Sequence, residues 1–215
     1  MKKIVTMITA LALVLGLAAC GKNNPNPDST SGTTPGESTT VSTEQTTDTN
    51  PPATDAADSP KALLEAIWNQ YKEDDKFPAA GGDYDEANMV DGAPGIVGLD
   101  NADDVERLVG FPAASIGEID AAASLFHMMN GNTFTCGAYR VKEGTDMDAL
   151  AQSIRDAIQG RRWMCGFPDK VVVISVADYV MMAYGAEECV DDLVEACSEV
   201  APDSTVLVDA PAVLD

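Results

Sequence analysis

The sequence contains a single histidine, His127, and no Cys-x-x-Cys pair. One histidine excludes multi-histidine metal sites within one chain, and the cysteine spacing matches no zinc-ligand pattern. Basic residues are scarce: 13 Lys and Arg stand against 35 Asp and Glu, a formal net charge of −22. Such a surface repels nucleic-acid phosphate and the anionic face of a membrane. It suits solubility, cation-rich surroundings or a basic partner. The longest apolar run, Ile4 to Leu17, falls short of the roughly 20 residues needed to span a bilayer. The chain from Ser59 onward also lacks a strong catalytic or ligand-binding motif, so the sequence names no activity and no cofactor.

What is present begins at the N-terminus. Lys2 and Lys3 precede the apolar run, and Ala18 and Ala19 supply small residues before Cys20. That is the pattern of an export signal. The tetrapeptide Leu17-Ala18-Ala19-Cys20 resembles the bacterial lipoprotein lipobox. The resemblance implies that the Cys20 sulfur takes a diacylglyceryl group and that residues 1–19 are removed. Palmitate-type chains then anchor the protein to the extracytoplasmic side of the cell membrane, two acyl chains being needed for stable binding. The alternative is an ordinary secretory signal with a chance cysteine.

Residues 20–58 form the next region. Past Cys20 they contain no aromatic residue and one Val as the only large aliphatic, in a background of Ser, Thr, Pro, Gly, Asn and Asp. This composition buries too little apolar surface to offset chain entropy and predicts a disordered tether. As a flexible coil it would span roughly 35 Å, from about 5–6 Å times the square root of its length. An O-glycosylated stalk is the alternative reading. Loss of Lys2 and Lys3 would leave a mature formal charge of −24.

Residues 59–215 are long enough for one domain with its own core. Ser59-Pro60 reads as a helix start, with Leu63, Leu64, Ile67, Trp68 and Tyr71 on one stripe. Residues 76–98 are broken by Gly and Pro and read as a long loop with one short strand. Asp100 is expected to cap a short helix that ends at Gly110. Two strands flank the turn signal at Asn130-Gly131-Asn132. Thr145 is expected to cap a third helix ending at Gly160. "KVVVISVADYVMMAYG" reads as two strands folded at Ala177-Asp178, followed by a helix near 186–200 and a last strand, "STVLV". The order predicts an α+β fold: an antiparallel sheet of about four to five strands with helices packed on one face.

The segments "TFTCGAYRVKEG", "RRWMCGFPDKVVV" and "ADYVMMAYG", behind a lipobox and a Ser/Thr-rich tether, resemble a group of small lipoproteins from Gram-positive anaerobes. Their C-terminal domain is of unknown function. The resemblance spans about residues 60–200. It implies a cell-surface address and an α+β domain, and it carries over no catalytic residue.

Candidate chemistry is sparse. With Cys20 lipidated, four cysteines remain. Cys189 and Cys197 lie about 12 Å apart along one predicted helix, beyond the reach of a disulfide, and read as buried small hydrophobes. Cys136 and Cys165 are the one pair left as a disulfide candidate. If Asn130-Gly131 is a two-residue turn, His127 opposes Phe134 and shares a face with Cys136. A longer loop places them on opposite faces. That register decides whether a Cys–His pair is geometrically open, against the default of a histidine packed in the sheet. Residues 83–92, "DYDEANMVDG", alternate oxygen ligands but lack the central Gly and terminal Glu of a calcium loop, so a plain polar loop is the simpler reading. Arg161, Arg162 and Trp163 either contact an anionic or sugar ligand, or complement the end of helix three while the indole packs inward.

Two functions survive. The favoured one is a membrane-anchored extracytoplasmic lipoprotein whose domain binds a protein or small molecule of the cell envelope. The alternative is a surface hydrolase using carboxylates, with or without a divalent cation. A deep pocket of converging polar groups would mark the enzyme, and an exposed apolar or aromatic patch the binding module.

Overall fold

A computed structural model describes residues 58–214. The expected signal peptide, Cys20 and nearly all of the expected tether lie outside the described residues. No helix among the described residues is long and apolar enough to cross a membrane.

Four helices form where caps and apolar stripes coincide. In α1 (Pro60–Gln70), the Ser59 hydroxyl accepts the Ala62 N–H at 3.2 Å, and Pro60 occupies the first turn. α2 (Ala102–Val109) is capped by Asn101, one residue past the expected Asp100. It ends at Gly110 with φ 72°, where a Cβ would lie 2.2 Å from the Ile158 side chain. α3 (Met147–Gln159) is capped by Asp146 rather than Thr145. In α4 (Glu187–Val200) the first residue's N–H donates instead to the Asp169 carboxylate at 3.4 Å.

The sheet is antiparallel, as expected, but it has eight strands where four to five were predicted. They are β1 (Ala79–Gly81), β2 (Val90–Asp91), β3 (Gly95–Val97), β4 (Ile119–His127), β5 (Phe134–Val141), β6 (Lys170–Val176), β7 (Tyr179–Gly185) and β8 (Thr205–Pro211). The spatial order is β2-β1-β4-β5-β7-β6-β8, with β3 also paired to β4. The excess lies in residues 76–98, where one short strand was expected and three form, β1, β2 and β3. Each has two or three residues, too few for an alternating pattern to show in a Gly- and Pro-rich segment. β1 and β3 share one edge of β4 and meet so closely that a Cβ on Gly81 would lie 2.2 Å from the Gly95 nitrogen. Buried Ser124 of β4 serves that junction, accepting from the Gly82 N–H at 2.9 Å and donating to its carbonyl at 2.6 Å.

The expectation of helices on one face is also corrected. Along β6, Val172, Ile174 and Val176 pack with residues of α1 and α4, whereas Val171 and Val173 pack with residues of α2 and α3. β7 alternates likewise, with Met181 and Ala183 on the first side and Val180, Met182 and Tyr184 on the second. The sheet is therefore the middle layer of three. This is why β6 and β7 read as nearly continuous apolar runs: with both faces covered, only Lys170 and Ser175 of β6 keep partial access to water.

The ends of the sheet differ. β6 and β7 are joined at Ala177-Asp178, as predicted, with Val176 opposite Tyr179. Asp58 acts electrostatically on Tyr179, so the chain enters the domain at this end. α1 then runs toward the other end, where Trp68 packs on Phe77 at 5.0 Å and Phe77 stacks on His127 at 5.3 Å. Seven residues of β7, about 20 Å at 3.3 Å per residue, separate the two poles.

Candidate functional site

The far pole is built from two connections, residues 128–133 between β4 and β5 and residues 160–169 between α3 and β6. Asn130 begins a turn, its carbonyl accepting the Thr133 N–H at 2.9 Å and its side-chain oxygen the Asn132 N–H at 3.0 Å. The two amide side chains then reach across. Asn132 Nδ2 donates to the Met164 carbonyl at 2.8 Å and the Gly166 carbonyl at 3.1 Å. Asn130 Nδ2 donates to the Cys165 carbonyl at 3.3 Å. Cys165 sits between these bonds with φ 63°, a left-handed backbone that disfavours a side chain.

This stitching leaves large apolar side chains facing water. Met129 is 77% exposed, Met164 78% and Phe167 71%, with Met128 also exposed. Isolated exposed hydrophobes are ordinary, but four on two joined loops form a patch. The sequence carried a signal for it: "MMNGN" and "WMCGF" place Met and Phe inside turn-forming residues, where no core face exists to receive them.

Beside the patch, on the α2/α3 face of the sheet, lies an open cleft of about 340 Å³. Three of the chain's five arginines line it: Arg107, Arg161 and Arg162. Arg161 follows the Gly160 cap of α3, but it serves a different helix from the one expected. Its guanidinium donates to the carbonyls of Glu106 (3.3 Å) and Arg107 at the C-terminal end of α2, and to the Tyr184 hydroxyl at 2.9 Å. A cation there meets the negative end of the helix dipole. The same guanidinium lies 5.3 Å from the Trp163 ring and 5.4 Å from the Tyr184 ring, which pack edge-to-face at 5.1 Å. Arg107 pairs with Asp104 and covers the exposed Tyr84 ring at 5.1 Å. Arg162 is exposed and has no hydrogen-bond or ion-pair partner among the described residues. The Trp163 Nε1–H is buried without an acceptor.

The other sequence candidates fall elsewhere. The β4–β5 register, Leu125 opposite Cys136 and Phe126 opposite Thr135, is the one that puts His127 and Cys136 on a common face. The pair is nevertheless not poised for nucleophilic chemistry. Cys136 is fully buried, and burial, with Cys197 beside it, pushes its thiol far above the ordinary range. His127 stacks on Phe77, and its Nδ1 accepts the Met129 N–H at 3.2 Å. The disulfide considered between Cys136 and Cys165 is not made: both are free, one inside the α1/α4 core and the other exposed at the pole. Cys197 is buried and Cys189 half-buried along α4, also free.

In the 83–92 segment the oxygen atoms are used to hold the loop. Asp83 accepts from the N–H groups of Asp85 (2.8 Å) and Gly98 (2.7 Å) and from Asn88 Nδ2 at 3.0 Å. Burial alone would raise its pKa, but these donors together hold it below the usual carboxylate range. Among the described residues no three His, Cys, Asp or Glu side chains converge as a metal-ligand set.

No protein-family model, curated protein or solved structure matches the chain. The fold and site together define a three-layer α+β domain with an apolar pole and an arginine–aromatic cleft.

Proposed function

We propose that the protein is a lipid-anchored extracytoplasmic binding module, held at the membrane through Cys20 and meeting a protein partner of the cell envelope with its far pole. The observation that carries this reading is the exposed Met129, Met164 and Phe167 surface, fixed by Asn130 and Asn132 at the end opposite chain entry. A tether attached at one end leaves the other facing outward. The strongly acidic charge of the chain disfavours laying that pole on an anionic bilayer. Cross-bonded loops presenting Met and Phe beside Arg match the residue types enriched in interface cores.

The test is site-resolved crosslinking of the full-length chain in native membranes. A photoreactive residue at Met129 or Phe167 should capture a discrete protein, and the same residue at Val206 on the edge strand should not. The adduct at position 129 should disappear in a chain carrying Phe167→Ser. Capture that is equal at all three positions sinks the reading of this pole. For the anchor, Cys20→Ser should abolish palmitate labelling and release the protein from the membrane fraction. Labelling that persists in that variant would remove the lipid attachment from the account.

A further inference from the structure

The cleft beside the apolar pole differs from the rest of this surface in charge. The chain has 35 acidic residues, yet among the described residues no carboxylate lines the cleft, while three of the five arginines do. A neighbouring groove lined by Asp83, Asp85, Asp100 and Asp104 shows how unusual that exclusion is. Among the described residues Arg162 is exposed without a partner, and Trp163, whose buried indole N–H has no acceptor there, forms part of the same wall. A cleft whose charged lining is all cationic fits an oxyanion.

Its size and walls say more. The cleft is open and about 340 Å³, room for more than one carboxylate or phosphate group. Tyr84, Trp163, Leu108 and Met164 supply apolar lining, suited to a ring. Arg161 is already engaged by the α2 carbonyls and Tyr184, so its role is to hold the wall, and Arg162 is the arm left for the ligand.

We propose that this cleft binds a small ring-bearing oxyanion, a carboxylate or a phosphate monoester, gripped by Arg162 against the Trp163 wall. The proposal rests on the reading of this pole as a contact surface and adds the chemical class of one ligand taken there.

The chain has only two tryptophans, and Trp68 already donates its indole N–H to the Gly92 carbonyl at 3.0 Å. ¹⁵N-labelled full-length protein in neutral detergent micelles should therefore give two indole resonances, assigned with Trp163→Phe. Titration with benzoate and with phenyl phosphate should shift the Trp163 resonance saturably and leave that of Trp68 in place. The tighter of the two identifies the anion. Phenol, which offers the same ring without the charge, should not shift it. Arg162→Gln should weaken binding about tenfold or more, the scale of one lost charge-assisted contact. Arg140→Gln, at the opposite pole, should change nothing. The proposal is overturned if neither anion shifts Trp163, if phenol shifts it equally, or if Arg162→Gln binds as the parent does. Loss of anion binding with crosslinked capture intact removes this site alone. Loss of capture with anion binding intact removes the protein contact surface alone.

Discussion

Each end of the sheet carries one non-glycine residue with left-handed backbone, Ala177 (φ 51°) where the chain enters and Cys165 (φ 63°) at the far pole. The same local cost is imposed by different means. At Ala177 it comes from pairing two seven-residue strands whose side chains are nearly all buried; the tight connection follows from the register. At Cys165 no ladder pairing demands it. There the backbone is held by the side-chain amides of Asn130 and Asn132, and the result is exposure of Met164 and Phe167 rather than their burial. Strain that serves packing needs no further explanation. Strain that holds apolar groups in water is the kind associated with binding surfaces.

The comparison implies that stability and exposed apolar surface are separated even within the far pole, and the largest expected effect tests this. Phe134 is fully buried beneath the exposed loop and packs on Phe77 at 5.1 Å. Phe134→Ala should cost about 3–5 kcal/mol in urea unfolding, as for other aromatic truncations in a core. Met129→Ser with Phe167→Ser should stay within roughly 0.5 kcal/mol of the parent, because neither side chain is packed. A large loss from the double serine variant would mean that the exposed residues belong to the core after all.

The next effect is smaller. Asn132→Ala removes both cross-loop bonds from its side chain and should cost about 1–2 kcal/mol. Hydrogen exchange should accelerate across residues 161–169 while the Ala177-Asp178 connection stays unchanged. Equal acceleration at both ends would erase the distinction between them.

How much of this was readable beforehand follows from the same contrast. The Ala177-Asp178 turn, the α1 cap at Ser59 and the Gly110 terminus were legible because each is a local device, decided by a few adjacent residues. The β4–β5 register was left open between two loop lengths, and the structure decides it in favour of the one that puts His127 and Cys136 on a common face. The second helical layer was not inferred, although the unbroken runs "VVVISV" and "YVMMAYG" imply it, since a half-exposed strand would alternate. Arg161 illustrates the remaining limit. Its position after Gly160 suggested service to α3, but its partners are the α2 carbonyls, 54 and 55 residues earlier in the chain. Nor does any local pattern show that Asn132 would bond to Met164, 32 residues away. The site was therefore visible as residue types, Arg161, Arg162 and Trp163, and invisible as an assembly.

Glycine substitution sharpens the comparison further. A left-handed conformation costs an L-residue about 1–2 kcal/mol, and glycine returns part of that as unfolded-chain entropy. Ala177→Gly and Cys165→Gly should each stabilise by about 0.5 kcal/mol. They should differ when combined with Asn132→Ala. Ala177→Gly should add to it, being remote. Cys165→Gly should gain less in that background, because the bonds that impose the strain are already gone. Additivity at both positions would show that Cys165 is strained for some other reason.

The smallest expected effect lies at Asp192 on α4, in a shallow groove with Asp75, Glu195 and Glu199. Burial, then Asp75 and Glu188, raise its carboxyl above the ordinary range, with Lys72 opposing. The sign follows. A carboxyl whose folded pKa exceeds its unfolded value contributes stability below the unfolded value and loses it as pH rises through the folded value. At pH 7 the ionised Asp192 is therefore a cost. Asp192→Asn should stabilise by roughly 0.5 kcal/mol or less, given the solvent screening at this partly exposed position. The gain should fade as pH falls below the ordinary carboxylate range, because the parent side chain is then neutral too. Thermal melts of parent and variant across pH 3 to 7 measure it. A gain that persists undiminished at the acid end would assign the effect to helix packing and not to charge.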